Sequence, residues 1–269
     1  MSKILVDGGY LIPMDKPYAV ISDGVVAIDG NRIVYAGIRS GFDAHSFAAD
    51  QTIPAKGRAV LPGLINTHIH LIGAYLKGLT EDVSGQLSAG LWKRAVPIAF
   101  THVHDEDWYA GCLTHAMEML CTGTTTIVSQ FVKEHLAMPA VRDLGIRAVM
   151  SQEIFEVDAT KLSASVMDRP MRKDWLEKGL EDSRRLHADW HGKENGRITT
   201  RISPAGPGFT SRDGLVASAA LADELGLGIN VHVAEVPGET EFVMKQHGKR
   251  PIRSEEHTSE LQSRLHLVC

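Results

Sequence analysis

The chain has 269 residues, 43% of them hydrophobic, and a formal net charge of −5. That length suits one large domain or a domain with an appendage, and the apolar fraction is ordinary for a packed core. Nucleic-acid binding has no basic footprint to rest on, and no apolar run reaches the ~18 residues that would span a bilayer. The opening Met1-Ser2-Lys3-Ile4 has no signal-peptide pattern, so cytoplasmic residence is expected. Cys112, Cys121 and Cys269 are odd in number and widely spaced, which argues against a disulfide framework. They also exclude the Cys-x-x-Cys zinc site of cytidine-type deaminases. Cys112 and Cys121 are expected to pack as small apolar residues on a helix.

Residues 1–57 read as short strands. Val25-Val26-Ala27-Ile28 and Ile33-Val34-Tyr35-Ala36 flank Asp29-Gly30-Asn31-Arg32, a hairpin turn signal, while Pro13 and Pro17 interrupt the stretch before it. From Val60 onward apolar strands alternate with amphipathic helices, the pattern of parallel α/β architecture. Strand one is expected at 64–70. A helix follows at 105–120, stopped by Gly123, which suits a left-handed cap. Strand two is expected at 124–129, rich in β-branched threonines. Strands three, four and five are expected at 146–151, 198–204 and 227–232, with helices at 134–144, 172–190 and 212–225 between them. A (β/α)8 barrel takes about 250 residues, roughly 31 per unit. Too few residues follow Glu235 for three further units, so the expectation is an incomplete barrel of about five strands.

Two segments carry chemistry. In Pro62-Gly63-Leu64-Ile65-Asn66-Thr67-His68-Ile69-His70-Leu71, side chains two apart share a face of the strand, so Asn66, His68 and His70 point one way. Ile65, Thr67 and Ile69 occupy the other face. Two neutral imidazoles fixed by a strand form a natural pair of metal ligands, the alternative being two histidines on a wet strand face. In Ile229-Asn230-Val231-His232-Val233-Ala234-Glu235, His232 ends an apolar strand, where barrel active sites sit, and Glu235 lies just beyond.

The first segment resembles the amidohydrolase superfamily signature, Pro-Gly-x-x-Asp/Asn-x-His-x-His. His232-Val233-Ala234-Glu235 is similar to the His-x-Ala-Glu of that superfamily's deaminase and chlorohydrolase branch. Weaker matches are Glu118-Met119-Leu120 leading to Gly123-Thr124-Thr125-Thr126, and Gly248-Lys249-Arg250-Pro251. The resemblance implies a TIM-type barrel over 58–252 and, over 1–57, part of the small β-sandwich such enzymes assemble from both chain ends. It implies metal ligation by His68, His70 and His232, and a proton-shuttle role for Glu235. Asn66 is expected as a hydrogen-bonding support behind the histidines, and Trp92 as a pocket-lining residue in the long connection after strand one.

The cofactor implied is one divalent metal, zinc or alternatively iron, and the reaction is deamination of an amino-substituted heterocycle by metal-activated water. Expulsion of chloride from a triazine-like ring, and a non-catalytic metal-binding fragment, stay open, and the truncated chain by itself is expected to be inactive. The implied partner is a small heterocyclic substrate. No nucleic-acid or membrane partner is expected, and the resemblance is compatible with a homo-oligomeric full-length enzyme.

Two departures from the family bear on this. Ser203-Pro204-Ala205-Gly206-Pro207-Gly208-Phe209 lacks the histidine that many purine-directed members carry after strand four. No lysine ends a barrel strand, so a carbamylated-lysine bridge has no candidate and one metal is favoured over two. His102 and His104 form a second His-x-His in a polar helix lead-in and are not expected to bind metal. His115, His135, His187, His191 and His247 are read as surface residues, and Trp108 and Trp175 as packing. From Arg253 the sequence turns abruptly polar and matches a translated reading frame of a common sequencing adapter. Residues 253–269 are therefore expected to be a non-native or disordered tail, with further family ligands lying beyond residue 252 of the native enzyme. His257 and His266 are poor ligand candidates whether the tail is native or not.

Overall fold

The computed structural model describes residues 2–79, 95–158, 171–235 and 238–251. Trp92 and the 253–269 tail lie outside the described residues. The chain divides into two compact units, Met1–Gly63 and Leu64–Cys269.

The first unit is a five-stranded sheet in the order β3-β2-β1-β4, with β5 also on β1. Its strands are β1 (Lys3–Leu11), β2 (Ile21–Asp29), β3 (Arg32–Ile38), β4 (Gln51–Pro54) and β5 (Ala59–Val60). Asp29 pairs with Arg32 across Gly30-Asn31, and Gly30 takes φ +59°, so the expected hairpin forms at the expected turn. β4 and β5 add to β1 in parallel, a pairing between separated segments that no local turn signal announces. Leu11, Val25, Val26, Ala27 and Ala55 form the buried side of this unit.

The second unit is a parallel sheet in the order β10-β8-β7-β6, with β9 also on β8. Its strands are β6 (Leu64–Ile69), β7 (Thr124–Phe131), β8 (Arg147–Ile154), β9 (Ile198–Thr200) and β10 (Ser203–Pro204). The helices are α1 (Val96–Thr101), α2 (Asp107–Cys121), α3 (Met138–Leu144), α4 (Lys173–Trp190), the single turn α5 (Lys193–Gly196), α6 (Arg212–Leu225) and α7 (Glu239–His247). β6, β7, β8 and β9 pair in chain order with helices between them, as the α/β reading requires, and β10 returns to β8 beyond the end of β9. No helix among the described residues is long and apolar enough to cross a membrane.

Local chemistry explains the boundaries. Ser211 caps α6 by accepting the Gly214 N–H at 3.0 Å, and Gly226 ends that helix at φ +65°. Gly123, at φ +93°, follows the end of α2 as expected. The helix expected at 134–144 divides into a 3-10 turn, Glu134–Leu136, and α3, which starts with Pro139 in its first turn. Strand four divides into β9 and β10. Strand five forms no ladder: it joins the sheet by one bridge, Ile202 to Ile229. There the Asn230 N–H donates to the Ile202 carbonyl at 2.9 Å, and the Ile202 N–H to the Gly228 carbonyl at 3.1 Å. One neighbour on one side supports an extended segment but not a full strand.

The main core packs α2 and α3 on β6–β8 through Trp108, Cys112, Ile127, Met138, Val141 and Met150. Cys112 is buried as expected, whereas Cys121, at the last position of α2, is exposed. A second cluster seats α4 and α6 on the sheet through Ile154, Leu176, Ile202, Leu221 and Ile229. Gly179 lets α4 approach closely, because a Cβ there would lie 2.9 Å from Ile154 Cγ2 and 3.2 Å from Ile154 Cα. Alanine would gain up to ~1 kcal/mol in helix propensity but must push the helix off the strand, at about 1–3 kcal/mol. Gly179→Ala is therefore expected to destabilise the chain, read as a lower urea midpoint; an unchanged or higher midpoint would contradict this packing.

Candidate metal centre

Strand β6 delivers the first two imidazoles to the C-terminal edge of the sheet, and the extended segment after Ile229 delivers the third. The ring centroids of His68 and His70 lie 5.0 Å apart, those of His68 and His232 5.0 Å, and those of His70 and His232 5.4 Å. One nitrogen from each ring lies within 4.8 Å of the other two, and this is the only such group of three among the described residues. His102 and His104 take no part. Three imidazole nitrogens converging on one point match the donor set of a catalytic zinc site, with coordination left open for water.

Hydrogen bonds to the ring backs set the orientation. His70 Nδ1 donates to the Gln130 carbonyl in a short contact. A carbonyl only accepts, so Nδ1 carries the hydrogen and Nε2 keeps the lone pair a metal needs. His232 Nδ1 lies 3.0 Å from Glu153 Oε1, a carboxylate that is itself buried. The Gln130 side-chain nitrogen sits 2.9 Å from His232 Nδ1 and 3.1 Å from its Nε2. Asn66 Oδ1 accepts the backbone N–H of His68 at 3.2 Å, and the Asn66 amide faces Met119 Sδ at 3.9 Å. Its connection to the imidazoles therefore runs through the backbone.

Burial, and then the neighbouring His70 and His232, push the His68 imidazole down to about 4, so it is neutral at physiological pH. Burial likewise lowers His70. Burial would also lower His232, but the hydrogen bond and charge of Glu153 outweigh it and lift that ring to about 9. A cation at this point would take the place of the His232 proton. Burial raises the Glu235 carboxyl to about 7, with His232 opposing and Glu153 and Glu239 reinforcing the shift. Glu235 is thus poised to hold or release a proton near neutrality.

The loop after β10 lies tight against this cluster. Gly206 takes φ +133°, and a Cβ there would fall 2.5 Å from the His232 carbonyl oxygen. Beside Glu153, between the end of β8 and α4, lies a cavity of about 530 Å³ lined by Lys133, His135, Gln152, Glu153, Phe155 and Trp175 among others.

Gln130 and Glu153 are absent from the sequence expectation because strands two and three were expected to stop at 129 and 151. Both strands run on, to Phe131 and Ile154. The available signal was an amide or acid directly after an apolar strand, at the end where parallel α/β proteins place their sites. The surface reading needs correcting for three histidines: His115, His135 and His187 are half-buried, with His115 Nδ1 3.1 Å from the Leu71 carbonyl and His187 Nδ1 3.2 Å from the Thr200 hydroxyl. His191 is exposed as expected, with Nδ1 3.1 Å from the same hydroxyl.

The model of the Amidohydrolase family matches residues 59–267. The 5-methylthioadenosine/S-adenosylhomocysteine deaminase of Symbiobacterium thermophilum is 35% identical over 253 residues, which is 94% of this chain and 54% of the relative. The chain thus spans about half the length of the curated relatives it matches. An adenosine deaminase from Xanthomonas campestris, solved with bound zinc, superposes with a TM-score of 0.82 at 23% identity, covering 98% of this chain and 56% of that one. The atrazine chlorohydrolase of Arthrobacter aurescens TC1, complexed with zinc, gives 0.77 at 21% identity, covering 94% and 58%. The structural likenesses concern the fold; the family model, spanning most of the sequence, shows that the chain belongs to the amidohydrolase family.

Proposed function

We propose that this chain carries the zinc-holding and proton-donating part of a hydrolytic deaminase that acts on an amino-substituted heterocycle. The observation that carries the reading is the convergence of His68, His70 and His232 with Glu235 three residues past the last of them. On this reading the second unit is the first part of a (β/α)8 barrel. The sheet of the first unit is a portion of a β-sandwich, and the protein works in the cytoplasm.

His68, His70 and His232 would hold one zinc, or iron, to which imidazole is equally suited. A metal held there supplies a nucleophilic water at neutral pH by lowering that water's pKa from ~16 towards ~7. Glu153 and the Gln130 carbonyl fix the back nitrogens of His232 and His70, so that the opposite edges face the metal. Glu235 delivers its proton to a ring nitrogen of the substrate while water adds to the adjacent carbon that bears the amine. The ring nitrogen keeps that proton, one proton of the water restores Glu235 and the other passes to the departing amine, and the carbon–nitrogen bond breaks so that ammonia leaves as the ring carbonyl forms. Asn66 steadies the His68 backbone.

The relatives suggest an adenine nucleoside as substrate, although Ala205 occupies the segment where purine-directed members carry a histidine. The test is to load the full-length enzyme that contains this segment with zinc, verify its metal content, and measure ammonia from adenine nucleosides alongside chloride from a chlorotriazine. Ammonia release with about one zinc bound supports the reading. Chloride release alone moves the activity to dehalogenation, and zinc-free protein with no turnover contradicts it.

A further inference from the structure

We infer that Glu239 is a positioning residue that aims Glu235 by clamping the two peptide groups on which it is mounted. This inference rests on the reading of Glu235 as the proton donor. Glu239 opens α7 and is almost wholly buried, at 2% exposure. One of its carboxylate oxygens accepts the Ala234 N–H at 2.8 Å, and the other accepts the Glu235 N–H at 2.8 Å. Two consecutive amides bound by one anion are charge-assisted hydrogen bonds, each roughly twice as strong as a neutral one. Together they fix the planes of both peptides and therefore the direction in which the Glu235 side chain leaves the backbone.

The segment needs holding. Ala234 stands at φ +58°, a left-handed conformation that a residue with a Cβ seldom adopts. Strain of this kind persists where surrounding contacts over-determine it. Here the contact is Glu239, four residues further on at the start of a helix. That helix is anchored in turn by buried Val243. His232, the strained alanine, Glu235 and the helix thus form one relay, in which the end of strand five is tied to a rigid element. A proton donor must lie within hydrogen-bond reach of its acceptor, and a displacement of about 1 Å can cost ~10²-fold in rate.

A helix-starting glutamate also stabilises its helix in the ordinary way, so the test must separate the two roles. Glu239→Gln leaves one acceptor oxygen for two amides. In the zinc-loaded full-length enzyme, kcat is expected to fall about 10- to 100-fold with KM and zinc content unchanged. The Ala234 and Glu235 amides should exchange faster with solvent while the rest of the chain keeps its protection. In a Glu235→Gln background the same change should cost less than about twofold further, since residues acting through one group are not additive. Glu239→Asp keeps the charge at the helix start but shortens its reach, and is expected to show the same loss of kcat.

Equal losses in both backgrounds, wild-type kcat for Glu239→Asp, or unchanged exchange of the two amides would overturn the clamp. Failure of the underlying reading looks different. Glu235→Gln would itself turn over normally, while amide exchange would still report whether Glu239 holds the segment.

Discussion

In the full-length enzyme, Glu235→Gln is expected to retain zinc at wild-type stoichiometry and lose at least ~10²-fold in kcat, which is about 2.7 kcal/mol of transition-state stabilisation. The substitution keeps the size and hydrogen-bonding capacity of the side chain but removes its transferable proton. Burial raises the carboxyl to about 7, so near neutrality the wild-type group is divided between the form that donates and the form that accepts. A glutamine cannot change between them. Metal retention is expected because Glu235 is not among the three residues whose nitrogens converge. KM should move little, since the interaction is made as the tetrahedral carbon forms rather than on binding. Metal analysis and steady-state kinetics on one preparation decide the matter. Near-normal turnover would remove Glu235 from the chemistry, and loss of zinc would instead place it among the ligands.

Several features of this site were legible in the sequence for stated physical reasons. Alternation along a strand forces His68 and His70 to one face whatever else the chain does, and His232 was placed by counting strands. Ser211 and Gly226 bound α6 through local capping, so the helix ends where local chemistry ends it. Gln130 and Glu153 were not found because polar side chains at the mouth of a parallel sheet interrupt the apolar run that marks a strand, although the ladder continues beneath them. The parallel attachment of β4 and β5 to β1 depends on a partner about fifty residues away, which no local pattern encodes. Strand five shows the reverse case. Leu227 to Val231 has the composition of a strand, yet pairing needs neighbours, and among the described residues only Ile202 supplies one. The clamp on Glu235 was hidden for a similar reason: Glu239 reads as an ordinary helix-start acid until its two amide partners are known.

Glu134→Gln is expected to stabilise the chain above neutral pH while changing little near pH 5. Glu134 lies beneath the site, 1% exposed, with Oε1 accepting the Ser129 hydroxyl at 2.7 Å and Oε2 without a hydrogen-bond partner. Burial raises its carboxyl from 4.5 to about 8, with Ser129 opposing the shift and the Glu153 charge adding to it. The sign follows from proton counting. Below the unfolded value of 4.5 both states hold the proton, and stability is unaffected. Between 4.5 and about 8 the folded chain holds a proton that the unfolded chain releases, so stability falls by up to ~1.4 kcal/mol per pH unit. Above that range the penalty is fully present and amounts to several kcal/mol, on the order of what an unpaired buried charge costs.

Glutamine keeps an acceptor for Ser129 and carries no charge at any pH, so its stability curve should be flat where the wild type declines. Urea midpoints at pH 5.5 and pH 8 test this, and parallel curves for the two proteins would contradict it. The consequence reaches the metal centre. Glu134 and Glu153 repel one another when both are charged, so a neutral Glu134 removes one buried charge from the neighbourhood of the carboxyl that contacts His232.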